Sequence, residues 1–166
     1  MPAPNAFQSL WDFALAFYAK PQVAETCIAL QDTYDCNVCL LIGLGWSDER
    51  KGFLSTAELT NLELHVEAWT QQVIQPLRNL RRLTKHSVAT YKKDDTQTQL
   101  RTLIKQAELL AEKKLLAEIE SWLMQFPITT KTKDDSNVTN YLQKLAAPKL
   151  TIEFIQKNLV NIYNCA

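Results

Sequence analysis

A chain of 166 residues and 19.0 kDa has room for one compact domain, and its 46% hydrophobic content is enough for a buried core rather than a disordered tail. Eighteen basic and eighteen acidic residues give a formal net charge of zero, which excludes both a bulk polycation that coats nucleic acid and an acidic solvating tail. Three glycines in the whole chain exclude most Gly-rich phosphate loops and hairpin-built β architectures.

Apolar spacing is helical almost throughout. A first helix is expected from Asn5, an effective N-cap, to Lys20, with Phe7, Leu10, Trp11, Ala14, Phe17 and Tyr18 on one stripe. Pro21 suits the first turn of a second helix, which buries Val23, Cys27, Ile28 and Leu30 and fades at Gln31-Asp32. Asn37 to Trp46 is apolar all round, which predicts a short core helix; a buried strand is the competing reading. Ser55-Thr-Ala-Glu58 is a capping box, opening a helix that carries Leu59, Leu62, Val66, Trp69 and Val73 on one face.

Pro76 then kinks or breaks that helix, because the ring removes a hydrogen bond and clashes with the preceding turn. Helical pattern resumes through Leu77, Leu80 and Leu83. The longest pattern, Thr96 to Phe126, places Leu100, Leu103, Ile104, Ala107, Leu110, Ala111, Ala117 and Leu123 inward. Residues 128–136 read as an exposed loop before two shorter helices, Asn137–Ala146 and Thr151–Tyr163, separated by Pro148. The expected fold is a single all-α domain over residues 1–166, of about seven helices in an orthogonal or bundle-like arrangement.

The N-terminus lacks a basic region ahead of its first apolar stretch, and the longest apolar run, Val38 to Trp46, is far shorter than the roughly 20 residues of a membrane span. A cytoplasmic protein with reduced thiols and no membrane partner is expected.

The zero net charge hides an uneven distribution. Residues 1–69 carry three basic and nine acidic groups, residues 70–93 carry six basic and none acidic, and the remainder balances at nine each. Arg78, Arg81, Arg82 and Lys85 recur at threes and fours, one helical face, with Leu77, Leu80 and Leu83 expected on the other. Guanidinium groups on such a face grip carboxylates or phosphates in pairs. The competing reading is a solvated face neutralised by the acidic first half.

Catalytic and metal motifs are sparse. Cys36-Asn-Val-Cys39 is a weak redox or metal signal, because a helix N-terminus stabilises a thiolate while the flanking residues are wholly apolar. A zinc site needs two more ligands from Cys27, Cys165, His65 or His86, and none of these forms a second pair at the usual spacing. No catalytic residue, metal or cofactor is assigned. His65 is expected at a half-buried helix edge.

Several stretches occur together in order: Trp11-Asp-Phe-Ala-Leu-Ala-Phe-Tyr18, Pro21-Gln-Val-Ala24, Cys27-Ile-Ala-Leu-Gln-Asp32, Asn37-Val-Cys-Leu-Leu-Ile42, then Trp69, Val73-Ile-Gln-Pro-Leu-Arg78 and Arg81-Arg-Leu83. In that combination the chain resembles, over roughly residues 7–120, a proteobacterial family of small helical proteins known only as a domain of unknown function. The resemblance implies no activity, cofactor or catalytic residue. The family pattern carries Asn where this chain has Cys39, so the C-x-x-C is particular to this chain.

Three functional expectations follow. The first is a non-catalytic interaction or regulatory protein presenting Arg78, Arg81, Arg82 and Lys85 beside Trp69 to an acidic protein partner. The second is RNA or nucleotide-phosphate binding through the same face. The third is a small-molecule enzyme with a pocket between the first helix and the Trp69 helix, near Asp32, Cys39 and His65.

Overall fold

The computed structural model describes residues 9–86, 94–125, 136–160 and 162, and these are helical with no strand among them. In chain order the elements are α1 (Leu10–Tyr18), α2 (Val23–Tyr34), α3 (Val38–Glu49), α4 (Thr56–Trp69), a π-helical turn (Thr70–Ile74), α5 (Gln75–His86), α6 (Asp95–Met124), α7 (Asn137–Lys144) and α8 (Lys149–Leu159). Because α4 runs through the π turn into α5, the described residues form seven continuous helices, the number that the apolar spacing predicts. The strand reading of residues 37–46 is not realised; Asn37 caps α3 by accepting the Leu40 N–H.

Local chemistry sets most of the boundaries. Ser9, Ser55, Asp94 and Ser136 each accept a backbone N–H in the first turn of their helices, and Ser55 with Glu58 completes the capping box. The expected cap Asn5 lies outside the described residues. Pro21 does not enter α2. Gln22 next to it adopts φ 63°, a left-handed conformation that forces a turn before Val23. At the other end, α2 passes Asp32 and stops at Asp35, also left-handed. Ile28, expected inside, is 56% exposed, because the buried stripe of α2 is Val23, Cys27 and Leu30.

At the centre lies α3, where every residue from Val38 to Ser47 is buried. Gly43 and Gly45 allow its neighbours to come close. A Cβ on Gly43 would collide with Ile119 Cγ2 of α6, and one on Gly45 would sit 2.7 Å from Leu159 Cδ1 of α8. The first of the two C-terminal helices is fastened by polar bonds as well as by apolar burial. Asp48 accepts from Ser136 Oγ and from the backbone N–H groups of Asn137 and Val138, so it caps α7 from the end of α3. Buried Asn137 accepts the Leu54 N–H and donates to the Gly52 carbonyl. The predicted loop over residues 128–135 lies outside the described residues.

Pro76 neither breaks nor caps the helix that contains it. The Gln75 N–H reaches back five residues to the Thr70 carbonyl, so one residue is inserted into the turn just before the proline. The wider turn accommodates a ring that an α-helix would press against the carbonyl four residues earlier.

In α6 the expected inward set is only partly realised. Ile104 and Ala111 are buried, Ala107 and Leu123 are half-buried, but Leu100, Leu103 and Leu110 are 51%, 62% and 67% exposed, and Ala117 is exposed too. The seam that faces the protein is Ile104, Glu108, Ala111, Leu115 and Ile119, which includes a carboxylate that an apolar template passes over.

Candidate functional site

The structure turns the basic helix around. Arg78 is buried at 6% exposure, whereas Leu80 and Leu83 are 47% and 60% exposed, so the arginines face the protein and these leucines face outward. Leu77 is half-buried. The cause is in α6, antiparallel to α5, where Glu108 and Glu112 stand one turn apart opposite Arg78 and Arg81. Arg78 bridges Glu112 at 2.8 Å and Glu108 at 3.5 Å, and Arg81 bridges Glu108 at 2.5 Å. Charged side chains enter a low-dielectric contact only when paired, and the two most buried, Arg78 and Glu108, each have two partners. The neutralising acids therefore come mainly from the electrically balanced part of the chain.

The acidic first half contributes one bridge, Arg82 to Asp32 at 2.6 Å, in the open, with both side chains about half exposed at 45% and 50%. Lys85 is exposed and in no ion pair among the described residues. Trp69, 37% exposed, donates its indole N–H to the Ala111 carbonyl at 3.0 Å, so its polar edge is engaged by α6.

Beside Arg82 lies a polar cleft of about 280 Å³. It is enclosed by the end of α2 (Gln31, Asp32, Asp35), the start of α3 (Cys36, Asn37), Glu67 of α4, the π turn (Thr70, Gln71) and α5 (Gln75, Arg78, Arg82). Asn37 holds these parts together. Its side chain caps α3 and donates to Thr70 Oγ1 at 3.0 Å, while its backbone N–H donates to the Tyr141 hydroxyl of α7. Thr70 Oγ1 in turn donates to the Val66 carbonyl. The π turn and the first residue of α5 thus display Thr70, Gln71 and Gln75 to one cavity, consistent with the tendency of such turns to occur at functional sites.

The candidates for nucleophilic or metal chemistry are dispersed. Cys27, Cys36 and Cys39 are free and buried, and burial pushes the Cys27 and Cys36 thiols up to about 12 and the Cys39 thiol higher still. The turn at the start of α3 therefore stabilises no thiolate. Among the described residues no group of three or more His, Cys, Asp and Glu side chains is placed to hold a metal ion. Cys165 and the His86 side chain lie outside what is described. Asp32, Cys39 and His65 do not meet: Asp32 lines the cleft, Cys39 lies in the core, and His65 is exposed on α4 with Nε2 3.9 Å from Glu118 of α6. The cleft lies between α2 and the π turn, not between α1 and α4. Sequence reasoning missed Asp35, Glu67, Thr70 and Gln71, whose spacing carries no motif.

A family model matches residues 9–119, from the cap of α1 to deep within α6. The chain belongs to that family, described as protein of unknown function (DUF2390). No curated protein and no solved structure matches the chain. The match covers the entire lining of the polar cleft. Two other cavities draw on residues past it: one of about 220 Å³ beside Trp46 and Arg50 uses Trp122 and Leu123, and one of about 470 Å³ between α2 and α8 uses Pro148 and Thr151. No helix among the described residues is long and apolar enough to cross a membrane.

Proposed function

We propose that this chain is a cytoplasmic, proteobacterial, non-catalytic interaction protein that docks an acidic helical segment of another protein on the α5–α6 pair. The supporting observation is the inverted polarity of that pair, with charges inside and leucines outside. Leu100, Leu103, Ala107 and Leu110 share one side of α6 at alternating steps of three and four, the spacing of a seam that takes another helix. Exposed leucine strips of this kind mark protein contacts more often than isolated leucines do.

The cations outside the internal network include Lys85 on α5 and Arg101 and Lys105 on α6, none in an ion pair among the described residues; Lys113, further along α6, lies over the Trp11 ring. Lys85, Arg101 and Lys105 replace Arg78 and Arg81 as contact residues, and Arg82 joins them by exchanging Asp32 for a partner carboxylate. Such an exchange costs little, because an exposed ion pair contributes about 0–1 kcal/mol.

Photo-cross-linking from position 103, compared with position 150 on α8, tests this reading. Leu150 is 80% exposed, so reagent access is equal or better there. The expected result is a discrete adduct from position 103 whose partner carries an acidic amphipathic helix. That adduct is lost in Lys85→Glu/Lys105→Glu. Equal adducts from both positions, or adducts unaffected by charge reversal, would refute it.

A further inference from the structure

The apolar strip of α6 is bounded at both ends. One step further along the same side of the helix stand Thr96 and Lys114, both exposed, so the strip begins at Leu100 and stops at Leu110. Its steps of three, four and three residues read the same from either end. Turned end for end onto a copy of itself, about a two-fold axis near residue 105, it sets Leu100 against Leu110 and Leu103 against Ala107. Ala107 is half-buried while the leucines around it protrude, so it leaves a hollow, and the facing Leu103 is the side chain that fills it.

Polarity agrees with this register. The outer flank of the strip consists of Gln99, Gln106 and Lys113, all exposed. Beside the axis Gln106 meets its own copy, and an amide can both donate to and accept from its equal, whereas a charged residue would repel itself. Lys113, held over the Trp11 ring of its own chain, faces Gln99, and Lys114 faces Thr96. A parallel pairing sets the Ala107 hollow against an equal hollow and Lys114 against Lys114. Sliding the antiparallel pair by one heptad sets part of the strip against Lys114 or Thr96.

We infer that a second copy of this chain covers the strip, through an antiparallel seam between two α6 helices. The inference rests on the docking role proposed for that strip and names its occupant while the partner helix is absent. From Leu100 to Leu110 the seam is about 15 Å long. That is short for stable complexes, which bury about 1,200–2,000 Å² in total. The dimer is therefore weak, with a Kd on the order of 100 μM, and a partner helix displaces it.

Sedimentation velocity on the purified chain, from about 5 to about 500 μM, brackets that Kd. Leu103→Lys and Ala107→Glu should each weaken self-association at least about tenfold, since each buries a charge in the seam. Mixed in equal amounts, the two variants should associate at least about fivefold more tightly than either alone. Only in the mixture does the introduced lysine face the introduced glutamate, while the second contact keeps Leu103 on Ala107. Thermal melts separate lost pairing from lost folding.

Cross-linking reads the register without altering an apolar contact. A short bismaleimide should join Gln106→Cys chains to one another. It should leave Gln99→Cys chains, held about 20 Å apart along the seam, at the wild-type background. A chain that stays monomeric throughout, no gain in a mixture of folded variants, or equal cross-linking at 99 and 106 would overturn the pairing. A monomer leaves the partner-helix reading standing, because that reading is judged on the foreign adduct from position 103.

Discussion

Two ion-pair systems leave the same helix, and their burial predicts very different energies. The Arg78 and Glu108 side chains are 7% and 11% exposed, whereas Arg82 and Asp32 are 45% and 50% exposed. Removing one partner of a buried pair costs about 3–5 kcal/mol, because a charge is left without compensation; an exposed pair is worth about 0–1 kcal/mol. Glu108→Ala alone should fall between these, at about 2 kcal/mol, since Arg78 keeps Glu112 at 2.8 Å. Glu108→Ala/Glu112→Ala leaves Arg78 buried and unpaired, and should reach about 4 kcal/mol or more. Arg82→Ala should cost under about 1 kcal/mol and lose even that in half-molar salt, where the screening length is about 4 Å. Urea unfolding monitored by circular dichroism, at low and high sodium chloride, measures all three. If Arg82→Ala is as damaging as the double variant, the inward orientation of the α5 arginines is wrong.

Four further outcomes are expected. Gly43→Ala should destabilise by about 1–3 kcal/mol, because the new methyl meets the stiff Cγ2 branch of Ile119. At Gly45 it meets the movable end of Leu159, and a helix-propensity gain of about 1 kcal/mol should offset most of the cost; thermal melts of the pair give the comparison. Asp48→Ala should remove three bonds that hold the start of α7, and hydrogen exchange should accelerate over residues 137–144 with α1 and α2 unchanged. Burial holds the Cys27 and Cys36 thiols near 12 against an ordinary value of 9.0, so unfolding releases protons at alkaline pH. Their stabilisation is complete below pH 9.0 and falls as pH rises toward 12, by about 1.4 kcal/mol per pH unit for each thiol; Cys27→Ala should flatten that slope in pH-dependent urea titrations.

Helix positions and the main starting caps were legible because both depend on neighbours within about four residues. The capping box at Ser55, the core helix after Asn37 and the kink region at Pro76 are all local matters of backbone donors and side-chain spacing. The π turn was not legible, since the same residues could have satisfied a simple kink. The cleft was half legible: Gln31, Asp32, Asn37, Gln75, Arg78 and Arg82 all fall in the stretches shared with the family, but nothing local says that they meet.

The direction in which α5 faces is the sharpest case. Its sequence places arginines on one side and leucines on the other, and by itself that pattern points the leucines inward. One signal was available in α6, where Glu108 interrupts the seam of Ile104, Ala111 and Leu115 and asks for a cation there. The sequence by itself therefore determined an all-helical chain and its capping chemistry. Tertiary structure decided which charges are spent internally, because the partner of a buried charge lies some thirty residues away and only packing brings the two together.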